Sequence, residues 1–274
     1  MASITTPYRV EDEGKELTSS KLQRPPTECG FSAPPPKMTE SILPTPVVFS
    51  FMAFSDEWHS NPKWGDVEER RFFQRLARAR VKGRYVRLKA LALRGTGDPV
   101  RLRIAIELIE RALREWPDPY CRALDHYDLA RMHDQLGEYD LAIEHYRRSL
   151  AYEDQGGCGH TLAHVDFLLL ILRRAPHLRE DARHVIERRT KQMLQGSYVE
   201  RFMIRAAQAV LRYEQGDKAK AGVNAAWALN AAARQHSGLD RYPTLGLVEG
   251  MDDIVERMRR IAEETLGTSD FKPQ

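Results

Sequence analysis

The chain lacks the long apolar run that a membrane-spanning helix requires. Such a helix needs about 20 consecutive apolar residues, whereas the longest apolar run here covers residues 167–172 and is flanked by Asp166 and Arg173. We therefore expect no membrane insertion, and we expect this run to form a buried helix. Mean hydropathy is −0.53 and 30% of the residues are charged, which is typical of a soluble helical protein.

Cysteine is also scarce. The three cysteines, Cys29, Cys121 and Cys158, lie far apart in the sequence. An odd number of widely spaced cysteines argues against a disulfide framework and favours a reducing compartment. The first residues contain Glu11 and Asp12 and no basic stretch followed by an apolar one, so we expect no signal peptide. These features predict a cytoplasmic protein.

Catalytic motifs are missing as well. The sequence has no phosphate-binding glycine loop, no GxSxG and no paired CxxC. The best constellation is Cys158, His160 and His164, which offers soft and borderline ligands at a plausible metal spacing. However, three ligands in one local run have no distant partner, and histidines are common at helix starts. The sequence therefore predicts no catalytic residues, no metal site and no cofactor.

The first 66 residues divide into two segments of different composition. Residues 1–46 contain the proline runs at 25–26 and 34–36 and few large apolar residues, which predicts a disordered tail. A proline-rich ligand or a secretion leader is the alternative interpretation. Residues 47–66 are rich in aromatic and apolar side chains, which need to be covered. Two roles stay open for them: capping the first helices, or covering a binding groove until a partner arrives.

A strongly basic helix is predicted over residues 68–94. Residues 66–94 contain ten Lys and Arg against three Asp and Glu, while the remainder has 32 basic and 36 acidic residues. Apolar residues recur at spacings of three and four, which indicates one continuous amphipathic helix. Its candidate basic patch consists of Arg71, Arg75, Arg78, Lys82 and Arg87. The alternatives are a solvated face paired with the acidic remainder, an acidic protein partner, and nucleic acid.

Residues 123–150 show the pattern of two amphipathic helices joined at Gly137, where a chain reversal favours a residue that tolerates positive φ. Small and large residues alternate along both helices in a specific order, namely His126, Leu129, Ala130, His133, Gly137, Tyr139, Ala142, Tyr146 and Leu150. This order resembles the tetratricopeptide repeat (TPR) family, whose units pair two helices over 34 residues. Two positions depart from the pattern: His133 replaces an aromatic residue, and Asp154 replaces the closing proline.

The resemblance extends over residues 86–235, where further helix pairs are expected before and after this unit. Asp98 is predicted to cap a helix that has Pro99 as its first residue, and Asp118-Pro119 repeats this device at the start of the unit just described. Gly216 is expected to mark the turn of a later pair. The resemblance implies an all-α fold, an antiparallel helix-pair solenoid of the TPR type that occupies residues 67–267. A polar-faced helix at 252–266 is expected to cap the open end of the array. Residues 268–274 are expected to form a second tail.

TPR proteins generally hold peptides or partner proteins on the concave face lined by their first helices. The resemblance implies the following groove residues here: Leu124, Tyr127, Asp128, Arg131 and Gln135. The Lys and Asn of the carboxylate-clamp subset are absent, which argues against a chaperone tail as ligand. The small Ala206 and Ala207 of the fourth unit suggest an apolar groove floor. We therefore expect a non-catalytic scaffold or adaptor that binds a partner protein or peptide, with nucleic-acid binding through the basic helix as the alternative. The oligomeric state stays open.

Overall fold

A computed structural model describes residues 58–156 and 159–266. All of them belong to one compact unit. The predicted tails at 1–46 and 268–274, and residues 47–57 of the aromatic-rich segment, lie outside the described residues.

The described residues form ten helices and no strand, which confirms the all-α prediction. The helices are α1 Asp66–Ala77, α2 Lys82–Arg94, α3 Pro99–Glu115, α4 Arg122–Gln135, α5 Tyr139–Gln155, α6 Ala163–Arg174, α7 Arg179–Gln195, α8 Tyr198–Glu214, α9 Lys218–Ala232 and α10 Asp252–Leu266. Within the described part of the chain, no helix combines the length and hydropathy that crossing a bilayer demands.

The prediction of one continuous basic helix at 68–94 is wrong, because the structure divides it into α1 and α2. Arg78 ends α1, and Val81 precedes α2 with non-helical dihedral angles (φ −113°, ψ 69°). The break allows Phe72 and Leu76 of α1 to enter the same core cluster as the apolar residues of α2. The helical spacing of the apolar residues continues across residues 78–81, so this pattern alone predicts no break. Tertiary packing therefore overrides the local preference for one continuous helix.

Helix α2 approaches the end of α3 closely at Gly83. A Cβ atom at Gly83 would lie 3.0 Å from the Cβ atom of Trp116. The predicted start of α3 is confirmed, because Pro99 is its first residue and the Asp98 carboxylate accepts a hydrogen bond from the Arg101 amide at 3.0 Å.

The helix pair at the centre of the sequence analysis is present as α4 and α5. Gly137 has φ 76° and lies in the turn between them, as predicted. The predicted cap at Asp118 is wrong, because α4 begins at Arg122. Asp118 instead forms a turn in which its backbone oxygen accepts from the Cys121 amide at 3.0 Å.

Neighbouring helices pack together along the chain, as α2 with α3, α4 with α5, α6 with α7, α8 with α9, and α10 on α9. Helix α4 lies between two core clusters. Its Leu129 and Met132 face the N-terminal cluster, whereas Tyr127 and Ala130 face the cluster built by α4 to α10. The predicted helix at 252–266 is confirmed, and it packs so closely on α9 that a Cβ atom at Gly222 would clash with Thr265 and Leu266.

The described part of the aromatic-rich segment lies on α1 and α2. Trp58 contacts Phe72 and Tyr85 with ring centroids 5.3 and 5.2 Å apart. The Lys89 ammonium group of α2 donates to the backbone oxygens of Asn61 and Lys63, the latter at 3.0 Å. Burial lowers the pKa of Lys89 to about 8, although the charge of Glu68 opposes the shift. A buried cation therefore fastens this segment to α2 through backbone oxygens.

We expect Lys89→Met to release residues 58–64 from α2 without unfolding the chain. Methionine keeps the apolar stem and removes the donors, and a hydrogen bond from a charged group contributes about 1.5–3 kcal/mol. Amide exchange of the segment should therefore accelerate by roughly tenfold or more, while the unfolding midpoint changes little. Lys82→Met on the same helix is the control. Unchanged exchange at residues 58–64 in Lys89→Met would contradict this account.

Candidate functional site

The predicted groove residues all lie on α4, but they differ in exposure. Gln135 is exposed, Leu124 is half-buried, and the Arg131 side chain is 40% exposed. Tyr127 and Asp128 are buried, with 8% and 4% of their surface exposed. The structure therefore presents three of the five residues to solvent and places two beneath them.

Tyr127 and Arg131 both bind the same carboxylate on α6. The Tyr127 hydroxyl donates to Oδ2 of Asp166 at 2.8 Å, and Nε of Arg131 lies 3.5 Å from that oxygen. The Arg131 guanidinium also stacks over the Tyr127 ring, 5.6 Å from its centroid. Burial, together with the charge of Asp166, raises the pKa of Tyr127, so its hydroxyl stays a proton donor.

Asp128 contacts the helix pair that precedes α4. Its carboxylate accepts a hydrogen bond from Arg94 of α2. Burial raises the pKa of Asp128, and the charges of Arg94 and Arg131 oppose that shift. Tyr127 thus joins α4 to the following helix pair, and Asp128 joins it to the preceding one.

Arg87 is buried in an ion pair and does not contribute to an exposed basic patch. Its guanidinium donates to both oxygens of Asp125 on α4, at 2.6 and 2.7 Å. Burial raises the pKa of Asp125 to about 6 even though Arg87 opposes the shift. The desolvation of this carboxylate therefore outweighs the attraction of the guanidinium.

Polar contacts between successive helix pairs recur at nearly constant sequence separation. First helices are joined by Arg87–Asp125, Arg94–Asp128, Tyr127–Asp166 and His164–Glu200, at separations of 38, 34, 39 and 36 residues. Second helices and their turns are joined by Arg103–Glu138, Arg147–Asp181 and Arg188–Asp154, at separations of 35, 34 and 34 residues. Equivalent positions of adjacent helix pairs therefore meet repeatedly.

The remaining residues of the predicted basic patch lie on α1, in the turn after it and at the start of α2. Arg71, Arg75 and Arg78 are exposed, and Lys82 is half-buried. Within residues 58–156 and 159–266, the structure gives none of these four side chains an ion pair or a hydrogen bond. Arg80 and Arg84 are exposed in the same stretch and equally lack a partner there. We call these six cations the basic face.

A stack of histidines lies between α4 and α5, which the sequence analysis did not anticipate. Nδ1 of His126 lies 3.0 Å from Nδ1 of His145, and the two rings stack. His145 also stacks on His133 with ring centroids 5.4 Å apart, and His126 stacks on Tyr152. The seven-residue spacing of His126 and His133 predicts that both lie on one face of α4. No local sequence pattern indicates that His145 of α5 packs against them.

Burial lowers the pKa of both His126 and His145 to about 4. For His126 the nearby cations Arg148 and Arg122 add to the shift, and for His145 the neighbouring imidazoles add to it. The close Nδ1 pair needs one donor and one acceptor, so at least one ring must stay neutral. The pair of His126 and His145 is therefore compatible with two neutral rings at pH 7.

Within the described residues, the structure does not place the candidate metal ligands close together. His160 is exposed, with Nδ1 3.8 Å from Glu153, whereas His164 is buried, with Nε2 3.2 Å from Glu200. Cys158 lies outside the described residues. Over the described ranges, no group of three His, Cys, Asp or Glu is placed to bind a metal ion.

The prediction of an apolar groove floor in the fourth unit is wrong. Ala206 and Ala207 are fully buried in the core that α8 shares with its neighbours. Small residues at these positions allow close helix packing instead.

Comparison with known proteins finds no match: no family model, no curated protein and no solved structure resembles the chain significantly.

Proposed function

We propose that this protein is a non-catalytic scaffold or adaptor, a divergent TPR-like solenoid that holds a partner protein or peptide against its first helices. The observation that carries the proposal is the recurrence of contacts between first helices at separations of 34–39 residues. A TPR unit has 34 residues, so this recurrence agrees with stacked helix pairs of slightly greater length. Helix α10 would cap such an array, because it buries one face and exposes the other.

The binding surface of this proposal is the exposed part of α4. Arg131 stacks over the Tyr127 ring and makes one long ion-pair contact to Asp166 at 3.5 Å. A guanidinium carries five N–H donors, so several remain for a partner. Leu124 offers a half-buried apolar contact, and Gln135 offers an exposed amide. Tyr127 and Asp128 hold α4 between its neighbours, so their role is to position the surface.

Such a scaffold suits a reducing compartment, and we propose the cytoplasm. Cys121 is a free thiol that donates to Oδ2 of Asp118 at 3.3 Å. Burial, followed by the hydrogen bond to Asp118, raises the pKa of Cys121 to about 11, which keeps the thiol protonated and unreactive.

The test is quantitative affinity capture with the full chain and two double variants. Arg131→Ala with Gln135→Ala changes the groove surface, and Glu107→Ala with Arg114→Ala changes two exposed residues on α3. We expect at least one protein to be captured by the native chain and by the α3 variant, and to be depleted roughly tenfold by the groove variant. That ratio corresponds to about 1.4 kcal/mol of binding energy. Equal recovery of every captured protein by both variants would overturn the proposal.

A further inference from the structure

The six cations of the basic face have no ion pair or hydrogen bond among the described residues. The basic face consists of Arg71, Arg75, Arg78, Arg80, Lys82 and Arg84. By contrast, arginines of the later helices, such as Arg147, Arg173 and Arg188, form ion pairs with aspartates. The basic face is therefore a site of uncompensated positive charge.

The acidic residues of this region are confined to the first turn of α1, at Asp66, Glu68 and Glu69. No Asp or Glu occurs between Glu69 and Asp98. Asp125 and Asp128 of α4, which contact α2, are paired with Arg87 and Arg94. Clustered charges of one sign attract an anionic partner and steer its association.

The cations follow the chain from α1 into α2. Arg71 and Arg75 are four residues apart, so they lie on one side of α1, and Arg78 follows as the C-cap residue of that helix. Lys82 follows after the turn as the first residue of α2, and Arg80 and Arg84 flank it in sequence. A series of cations of this kind matches a polymer with regularly repeated negative charges better than it matches a single small anion.

The apolar residues of this stretch leave no apolar centre on the basic face. Phe72 and Leu76 are buried in the core, and the one large apolar side chain between residues 70 and 84 that is strongly exposed in the structure is Val81, at 58%. Protein–protein interfaces have a core that is depleted of charge and rich in aromatic anchors. Interfaces with nucleic acid are much more positively charged and more polar. The composition of the basic face therefore favours nucleic acid over an acidic protein.

We propose that the basic face binds the phosphate backbone of nucleic acid without sequence preference. Five of its six cations are arginines, whose guanidinium groups bind phosphate oxygens in a bidentate manner. This surface is separate from the proposed groove on α4, so the two activities can fail independently.

The test is fluorescence anisotropy of the full chain with labelled oligonucleotides of about 20 nucleotides, as single-stranded DNA, single-stranded RNA and DNA duplex. If four to six phosphates are contacted, log K against log salt should have a slope of about −4 to −5 for the duplex. Affinity should then fall roughly 100- to 1,000-fold between about 50 and 200 mM salt. Unlike sequences of equal length should bind equally, and comparing the three probes shows which nucleic acid is preferred.

A charge-matched pair of variants isolates the basic face. Arg75→Gln with Arg78→Gln and Lys82→Gln removes three of its cations, and the slope should become shallower by about 3. The control, Lys191→Gln with Lys218→Gln and Arg260→Gln, removes three exposed cations from α7, α9 and α10 and changes the net charge equally. The control should bind like the native chain.

Three results would overturn the proposal. The first is the absence of salt-dependent binding to any of the oligonucleotides. The second is an equal loss of affinity in both triple variants, because net charge alone would then explain binding. The third is tighter binding of polyglutamate than of an oligonucleotide with the same number of charges, which would assign the basic face to an acidic protein. Retained circular dichroism of the variants confirms that folding is intact.

Discussion

Replacing Asp125 with alanine is expected to lower the free energy of unfolding by about 3–5 kcal/mol. The Asp125 side chain is 1% exposed and that of Arg87 is 11% exposed, so the variant leaves a guanidinium in the interior without its carboxylate. This loss compares with a total stability of about 5–15 kcal/mol for a typical domain. Thermal denaturation should show a midpoint lowered by roughly 10 °C.

Two further variants distinguish the contribution of the buried ion pair to stability from that of an exposed ion pair. Arg114→Ala removes a pair with Glu110 whose side chains are 68% and 45% exposed, and it should change stability by less than about 1 kcal/mol. Arg87→Met with Asp125→Leu replaces both charges with apolar groups and should recover most of the loss, because burial already raises the pKa of Asp125 to about 6. If Asp125→Ala destabilises the chain no more than Arg114→Ala does, the ion pair does not hold α2 against α4.

Acidification below about pH 6.5 is expected to destabilise the pair of α4 and α5. The pKa values of His126 and His145 are lowered to about 4 in the folded state, whereas an unperturbed histidine has about 6.5. The unfolded chain therefore binds more protons between these values, and stability falls as the pH falls through that window. Double protonation would also place two Nδ1–H donors against each other across the 3.0 Å contact.

Urea unfolding between about pH 7 and 4.5 measures this effect. The free energy of unfolding should fall by about 1–2 kcal/mol per pH unit because of His126 and His145. This is less than expected for two fully shifted histidines, because His145 is half-buried. His126→Gln with His145→Gln should have a correspondingly shallower pH dependence than the native chain. His177→Gln, which changes an exposed histidine, should keep the native pH dependence. Identical slopes for the double variant and the native chain would remove the histidine stack as the cause.

Local signals in the sequence located most helix ends. Gly137 and Gly216 mark turns where φ is 76° and 80°, and Asp98-Pro99 marks a cap and a first turn. The start of α8 also has a local signal, since Ser197 and Glu200 form a capping box three residues apart. The break between α1 and α2 has no such signal, because residues 78–81 contain neither proline nor glycine.

The candidate site was predictable to a smaller extent, because its geometry depends on residues far apart in sequence. The pattern placed Tyr127 and Asp128 on the correct helix, yet their partners Asp166 and Arg94 are 39 and 34 residues away. Arg87 has the same local pattern as its exposed neighbours and differs only by meeting Asp125. Periodicity identifies a helix face, and only the packing of several helices decides whether that face meets solvent.

The salt dependence of binding distinguishes the two proposed surfaces. Phosphate contacts weaken steeply with salt because bound counterions are released when the complex forms. A partner held by Leu124, Arg131 and Gln135 depends partly on apolar and amide contacts, which salt screens little. Binding that survives high salt therefore reports on α4, and binding that disappears reports on the basic face.

Site-specific photo-crosslinking from Gln135 tests the scaffold proposal most directly. A photoreactive amino acid at this exposed position lies at the C-terminal end of α4, and the same amino acid at the exposed Glu107 of α3 provides the control. At high salt we expect a light-dependent adduct of discrete mass from position 135 and none from position 107. No adduct at position 135, or the same adduct from both positions, would contradict a partner-binding groove on α4.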